Sequence, residues 1–334
     1  MDLKAPFYLR EKWTESILSL LKKTTLGTNG AKYQHLNTAE IIADLDNPLF
    51  LSLERNDKVI GNITFCRRAE NWYIRYFAFE QLFQAKKSST NSKKSNLKSS
   101  ISNFFDEKVK QEINCFYAYI DPKNEKSRNM AKNFGFEKVG ELITYSFSRL
   151  KPKLNKNVSE LVDLSEIEQK YHYFEKNSFY TNFQPKRTKF YLLKNDAGKT
   201  LCSARIQKAH WKIERLPGKF GQILVQLIPF IPFLNKLINP KNYRFLVPDM
   251  ITCESGNPND LSELFEGILA QENYKLLLFW IDEKDALNRF DRKISWGLFK
   301  RFLGNPKVDV VAKFDQSKKP TFEALFFVSG IDLI

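Results

Sequence analysis

Cysteine and histidine are scarce in this chain, with four of the first and three of the second in 334 residues. Cys66, Cys115, Cys202 and Cys253 are scattered without a C-x-x-C pair, three of them inside strand-like runs. They read as reduced core thiols of a cytoplasmic protein. His35, His172 and His210 stand too far apart to suggest a ligand set, so no metal is expected. No Ser-His-Asp set, Walker loop or dinucleotide fingerprint is present, which disfavours hydrolase, kinase and dehydrogenase chemistry. Met1-Asp-Leu-Lys-Ala-Pro6 has neither a basic start nor an apolar run, so no secretory leader is expected. Long apolar runs are missing too. The longest uncharged segment, 220–235, has 16 residues and contains Pro229 and Pro232. A bilayer span needs about 18 to 20, so this segment reads as a buried insertion or aromatic lid, with membrane contact as the alternative.

What the chain does contain is apolar, aromatic and basic. Hydrophobic content of 43% and aromatic content of 14% belong to a globular protein, and the 29 phenylalanines are expected in core strands. The length suffices for two domains, each with its own core. Lys and Arg outnumber Asp and Glu by 53 to 38, a net charge of +15. That balance favours phosphate-bearing ligands, nucleic acid or a membrane surface, although part of it is the solvation any surface needs.

Hydrophobic periodicity predicts a strand at 7–10, a helix at 11–21, and strands at 48–53 and 59–65 joined through the polar turn Arg55-Asn-Asp-Lys58. A nearly continuous apolar run at 72–79 reads as a central strand. Residues 84–103 then carry five lysines, many Ser and Asn, and no acid, a composition typical of a loop. A helix at 101–110, a strand at 113–120 and a strand at 139–147 closing the sheet complete an α/β layer on a mixed sheet.

Between the last two strands lies Tyr117-Ala-Tyr-Ile-Asp-Pro-Lys-Asn-Glu-Lys-Ser-Arg-Asn-Met-Ala-Lys-Asn-Phe-Gly-Phe136. Asp121 is a suitable N-cap and Pro122 fits the first helical position. Ser127, Met130, Ala131 and Phe134 form one stripe, and Gly135 supplies a left-handed C-terminal position over which Phe136 packs. This N-x-x-S…G-F pattern, followed by Glu137-Lys-Val-Gly140 and a new strand, resembles the GNAT acyltransferase superfamily. The resemblance implies an acyl-CoA substrate, acetyl-CoA or another, whose pantetheine arm lies between the diverging strands 72–79 and 113–120 beside this helix. It also implies a small-molecule or peptide amine as acceptor.

Carried onto this sequence, the resemblance makes Phe77, Phe79, Gln84, Lys86, Lys87, Asn124 and Ser127 the expected cofactor-binding residues. The family's pyrophosphate loop is Q/R-x-x-G-x-G/A, and here Gln84-Ala-Lys-Lys-Ser-Ser89 keeps the first residue but has Lys87 and Ser89 where glycines belong. Charge from Lys86 and Lys87 would then replace closely approaching amides, unless the segment binds nothing. Many relatives carry a Tyr seven residues after the motif Asn, and that position is Ala131. Glu80, the one carboxylate near the end of the central strand in this half, is the candidate general base, against the plainer reading of an exposed turn charge.

Leu150-Lys-Pro-Lys-Leu-Asn-Lys156 reads as a linker, giving domains 1–150 and 157–334. Beyond it strands are expected at 189–193, 200–206, 245–253, 276–281, 308–314 and 322–328, with helices at 259–271 and 286–302. Trp280-Ile-Asp-Glu-Lys-Asp285 aligns with Tyr119-Ile-Asp-Pro-Lys-Asn124, a weak internal duplication that suggests a tandem GNAT-like fold. Two alternatives to acyl-CoA-dependent N-acyltransfer stay open. One is a GNAT-fold module without catalysis. The other is a Fem-like transferase using aminoacyl-tRNA, for which the basic charge and the apolar segment would suit; nucleic acid is the less favoured partner.

Overall fold

A computed structural model of the protein describes residues 7–27, 31–80, 91–182, 184–216 and 220–334. They divide into two compact units that are not consecutive halves. The first comprises Met1–Thr28, Thr38–Gly140 and Asp309–Phe322, and the second Asn29–Asn37, Glu141–Val308 and Glu323–Ile334. Among the described residues thirteen strands follow in chain order: β1 Phe7–Arg10, β2 Lys32–His35, β3 Pro48–Arg55, β4 Lys58–Arg68, β5 Asn71–Phe79, β6 Cys115–Ile120 and β7 Glu137–Ser148. The rest are β8 Val158–Leu161, β9 Lys189–Lys194, β10 Thr200–Arg215, β11 Tyr243–Cys253, β12 Leu276–Asp282 and β13 Lys307–Phe314.

In the first unit the sheet order is β1-β3-β4-β5-β6-β13, mixed because only β5 and β6 run parallel. Asn56 and Asp57 link β3 to β4 with φ of 50° and 58°, the two left-handed residues that a tight hairpin requires and that Asn and Asp tolerate. Thr14 caps the helix Glu15–Lys22, accepting from the Ile17 N–H, so this helix starts four residues later than its apolar pattern implies. It buries Ile17, Leu18, Leu20 and Leu21. A cluster around Phe65, Trp72, Phe104, Phe105, Phe116, Phe134 and Phe136 joins the sheet to the helices Asn91–Gln111 and Glu125–Asn133, which absorbs many of the phenylalanines. The strand after β6 in the sheet is β13, with Asp309 opposite Ile120 and Phe314 opposite Cys115. The expected closing strand 139–147 goes elsewhere, because alternating residues that make a strand do not specify its partner.

In the second unit β7 pairs β12 antiparallel from Leu142–Asp282 to Ser148–Leu276, and the order continues through β11, β10, β9 and β8, with β2 on the far end of β10. The helix Pro258–Gln271, capped by Asn257, turns Leu261, Leu264, Phe265 and Ile268 inward as its periodicity predicts. The expected helix 286–302 is broken into a 3₁₀ turn Ala286–Phe290 and a helix Leu298–Leu303. Gly297 divides them: its φ is +92°, and a Cβ there would lie 2.1 Å from the Ser148 carbonyl oxygen. The expected strand 322–328 does not form; Phe326 makes one isolated bridge to Ser178. Among the described residues no helix is long and apolar enough to cross a membrane.

Candidate functional site: a strand divergence in each unit

β5 and β6 are paired at only three positions, Asn71–Cys115, Trp72–Phe116 and Tyr73–Tyr117. Beyond Tyr73 the register of β5 on β4 shifts, with Thr64 opposite Tyr76 and Phe65 opposite Ile74, so Arg75 is an extra residue. A bulge of this kind bends its strand and raises its twist. β5 turns away while β6 stays paired to β13 as far as Ile120. Main-chain groups of residues 74–79 and 118–120 thus face a gap that no ladder closes among the described residues.

Alternation places different walls on the two sides of this gap. Tyr73, Tyr117 and Tyr119 cluster on one side, with Tyr73 5.4 and 5.3 Å from the other two rings. Arg68 donates to the Tyr117 hydroxyl at 3.1 Å and lies 5.2 Å from the Tyr73 ring. Arg75 sits over the Tyr76 ring, whose hydroxyl is pushed above its ordinary pKa by burial. On the opposite side Phe77 meets Phe134 at 6.0 Å and Phe79 at 5.2 Å. Gly61 makes room for Phe79, since a Cβ there would come within 2.4 Å of that ring. The tyrosines and Arg68 were not singled out from the sequence, although the period-two spacing of Tyr73, Tyr117 and Tyr119 on flanking strands carried the signal.

The predicted site residues fall into two groups. Phe77 and Phe79 are half-buried on the diverging part of β5, and Glu80 follows at its end, its N–H donating to the Ile60 carbonyl at 3.0 Å. Asn124 and Ser127 stand at the start of the helix after β6. Gln84, Lys86 and Lys87 lie outside the described residues. The N-cap is Asn124, whose side-chain oxygen accepts from the Ser127 N–H at 3.1 Å. Asp121, expected in that role, instead accepts from the Lys123 N–H at 2.8 Å, and Pro122 precedes the helix. With Asp and Asn three residues apart, a local turn at Asp121 wins the first position and the cap moves to the second. The C-terminal end follows expectation: Gly135 has φ +79°, and the Phe136 N–H bonds the Ala131 carbonyl while the Gly135 N–H bonds that of Lys132.

The second unit repeats this layout. β11 and β12 are paired parallel only at Leu246–Leu277. β11 bulges between Asp249 and Thr252, where Met250 takes φ 49°. Asp282 accepts from the Lys284 N–H at 2.7 Å and Asp285 from the Leu287 N–H at 2.8 Å, the same turn and cap as Asp121 and Asn124. Here, however, the divergence is bridged by the chain itself. Asp249 on β11 accepts from the Gly330 N–H at 2.6 Å, and Asp282 on β12 accepts from the Phe326 N–H at 2.8 Å. Arg205 clamps both Asp249 oxygens, at 2.7 and 2.6 Å. Glu254, further along, is paired with Lys170. Among the described residues no group of His, Cys, Asp and Glu is placed to hold a metal ion.

No family model and no curated protein matches the sequence. Solved structures do match. N-myristoyltransferase of Saccharomyces cerevisiae with bound myristoyl-CoA shares 11% identity at a TM-score of 0.55, over 93% of this chain and 80% of that one. A tandem GNAT protein from the clavulanic acid biosynthesis pathway shares 9% identity at 0.53, over 92% of this chain and 95% of that one. Identities this low make the likeness one of fold.

Proposed function

The chain has a tandem GNAT-like fold, and on that premise we propose that it is an acyl-CoA-dependent N-acyltransferase acting on a primary amine, with the cofactor in the first unit. The observation that carries this reading is the contrast between the two divergences. Peptide backbone of residues 326–330 reaches Asp249 and Asp282 in the second, whereas among the described residues no peptide segment pairs with the diverging ends of β5 and β6. A pantetheine arm carries two amides and is an extended chain of similar width, so two strand edges whose mutual pairing stops at Tyr73–Tyr117 suit it. Phe77, Phe79, Asn124 and Ser127 would flank the arm, and Gln84, Lys86 and Lys87 would meet the phosphates.

In the proposed reaction the amine nitrogen adds directly to the thioester carbon. The carbon–sulfur bond then breaks, the CoA thiolate leaves with the electron pair, and the amine proton passes to Glu80 directly or through one water. With Ala131 where many relatives have Tyr, the thiolate departs without protonation from that side. No covalent enzyme intermediate is involved.

The test is thermal unfolding of the whole chain with acetyl-CoA and with myristoyl-CoA, followed by turnover on a panel of amines and N-terminal peptides. Ligand at about 100 times its dissociation constant stabilises by about 2.7 kcal/mol, so a raised Tm is expected with at least one acyl-CoA. No shift with either at millimolar concentration would overturn the proposal. Binding without turnover on any amine would favour the reading in which the fold binds but does not catalyse, which the altered loop and Ala131 also suit.

A further inference from the structure

The sheet of the second unit makes a cysteine pair that spacing along the chain conceals. Cys202 on β10 and Cys253 on β11 are 51 residues apart, yet they stand opposite each other in register with their sulfur atoms 3.3 Å apart. The Glu254 N–H donates to the Leu201 carbonyl at 2.8 Å, so residues 201 and 254 are the hydrogen-bonded neighbours. Cys202 and Cys253 are then a non-hydrogen-bonded pair, the position at which antiparallel Cα atoms approach to about 4.5 Å and side chains lie closest. Disulfides need Cα atoms roughly 4.4–6.8 Å apart, so these two strands can carry one without separating or closing up.

The two thiols differ in access. Cys202 is fully buried, whereas Cys253 is half-buried at the end of its strand, where the turn 254–257 begins. The Cys253 sulfur lies 3.5 Å from the Asn257 carbonyl oxygen and 3.7 Å from the Ser255 hydroxyl. Its thiol is drawn below the ordinary pKa, chiefly by the Cys202 thiol, which makes Cys253 the nucleophile of the two. We propose that Cys202 and Cys253 are an oxidation site for hydroperoxides, closing reversibly to a disulfide within one chain. In the first step the Cys253 thiolate sulfur attacks a peroxide oxygen and the O–O bond breaks. Hydroxide leaves with the electron pair and takes up the proton that Cys253 released, giving a sulfenic acid and water. In the second step the Cys202 sulfur attacks the Cys253 sulfur and displaces hydroxide, which leaves as water with the Cys202 proton. Two thiols are thus oxidised and hydrogen peroxide is reduced to two waters. The accessible Cys253 sulfur leaves the bridge open to a reducing thiolate, so the bond can be undone. Closure ties β10 to β11 ahead of the helix Pro258–Gln271 and removes the thiol hydrogen that the Asn257 carbonyl accepts. The inference is independent of the acyl-transfer reading.

The test treats the reduced full chain with a small excess of hydrogen peroxide, then blocks the remaining thiols and measures intact mass and a non-reducing peptide map. Expected is a loss of about 2 Da, a cross-linked peptide joining Cys202 to Cys253, and recovery of both thiols with dithiothreitol under native conditions. Cys66 and Cys115, buried in the first unit, should stay thiols and serve as internal controls. Cys202→Ser removes the second thiol, so Cys253 should halt as a sulfenic acid that dimedone labels at least about tenfold more than in the wild type. Cys253→Ser should give neither the bridge nor the label. Should either variant fold poorly, the wild-type mass map decides alone. An unchanged mass at both cysteines would overturn the proposal, as would sulfinic or sulfonic acid in place of the bridge. A disulfide that joins two chains on a non-reducing gel, or one that dithiothreitol opens only after denaturation, would overturn it too.

Discussion

Replacing Asp249 by alanine removes the counter-charge of a guanidinium in the protein interior. The Arg205 and Asp249 side chains are 2% and 3% exposed and meet through two hydrogen bonds. Burial by itself would weaken the Arg205 charge, but the Asp249 carboxylate holds the guanidinium above its ordinary pKa. Removing one partner of a buried pair costs about 3–5 kcal/mol, because the survivor's charge stays desolvated without its counter-charge, here beside Ser329 and the Tyr171 ring. A unit of this size loses about 2–4 °C of Tm per kcal/mol, so a fall of about 6–20 °C is expected. The same substitution removes the acceptor for the Gly330 N–H, so amides around 326–334 should exchange faster with deuterium than in the wild type. Arg205→Met/Asp249→Leu takes out both charges and should recover most of the lost stability. Thermal and urea unfolding of the three proteins decide the matter. A loss below about 1 kcal/mol for Asp249→Ala, or a double variant no better than the single, would refute the reasoning.

Two other outcomes follow from titrating groups in the second unit. The Cys253 thiol is drawn down to about 6, chiefly by the Cys202 thiol 3.3 Å away, with help from Ser255 and the Gly256 N–H against the opposing effect of burial. Iodoacetamide at pH 7 should therefore label Cys253 well before Cys66 or Cys115, the last pushed up to about 12 by burial, and labelling should slow below pH 6; equal labelling in a peptide mass map would contradict this. Burial would raise the Glu272 carboxyl, yet hydrogen bonds from Lys208, Tyr191 and Lys189 outweigh it and lower the pKa from the usual 4.5 to about 2. A depressed carboxyl stabilises above its unfolded pKa, so stability should fall as pH drops from about 4.5 towards 2, and Glu272→Gln should flatten that slope in urea midpoints; an unchanged slope would refute it.

Short-range features were legible where the interacting groups lie within a few residues of one another. Phe134-Gly135-Phe136 closes its helix as read, and Asn56-Asp57 makes its hairpin, because each depends on local φ and on bonds spanning one turn. The Asp121 assignment failed locally as well: two residues suited to capping stood three apart, and the hydrogen bonds that separate them differ little in energy. The helix across Gly297 failed for a longer-range cause, the approach of the Ser148 carbonyl from another strand. Of the candidate site, the strands 72–79 and 113–120 and the helix after them were readable as neighbours of a gap. The tyrosine wall and the Arg75 bulge were not.

By itself the amino-acid order determined that this is an α/β chain whose two parts share a strand–turn–cap pattern, since period, cap and turn chemistry act over distances of a few residues. Only the tertiary structure decided that β13 and not β7 borders β6, that a bulge parts β5 from β6, and that residues 326–330 reach Asp249 and Asp282. Strand alternation is the same for every possible neighbour. The choice among neighbours is made by burial and main-chain pairing between segments up to about two hundred residues apart, which no local pattern encodes.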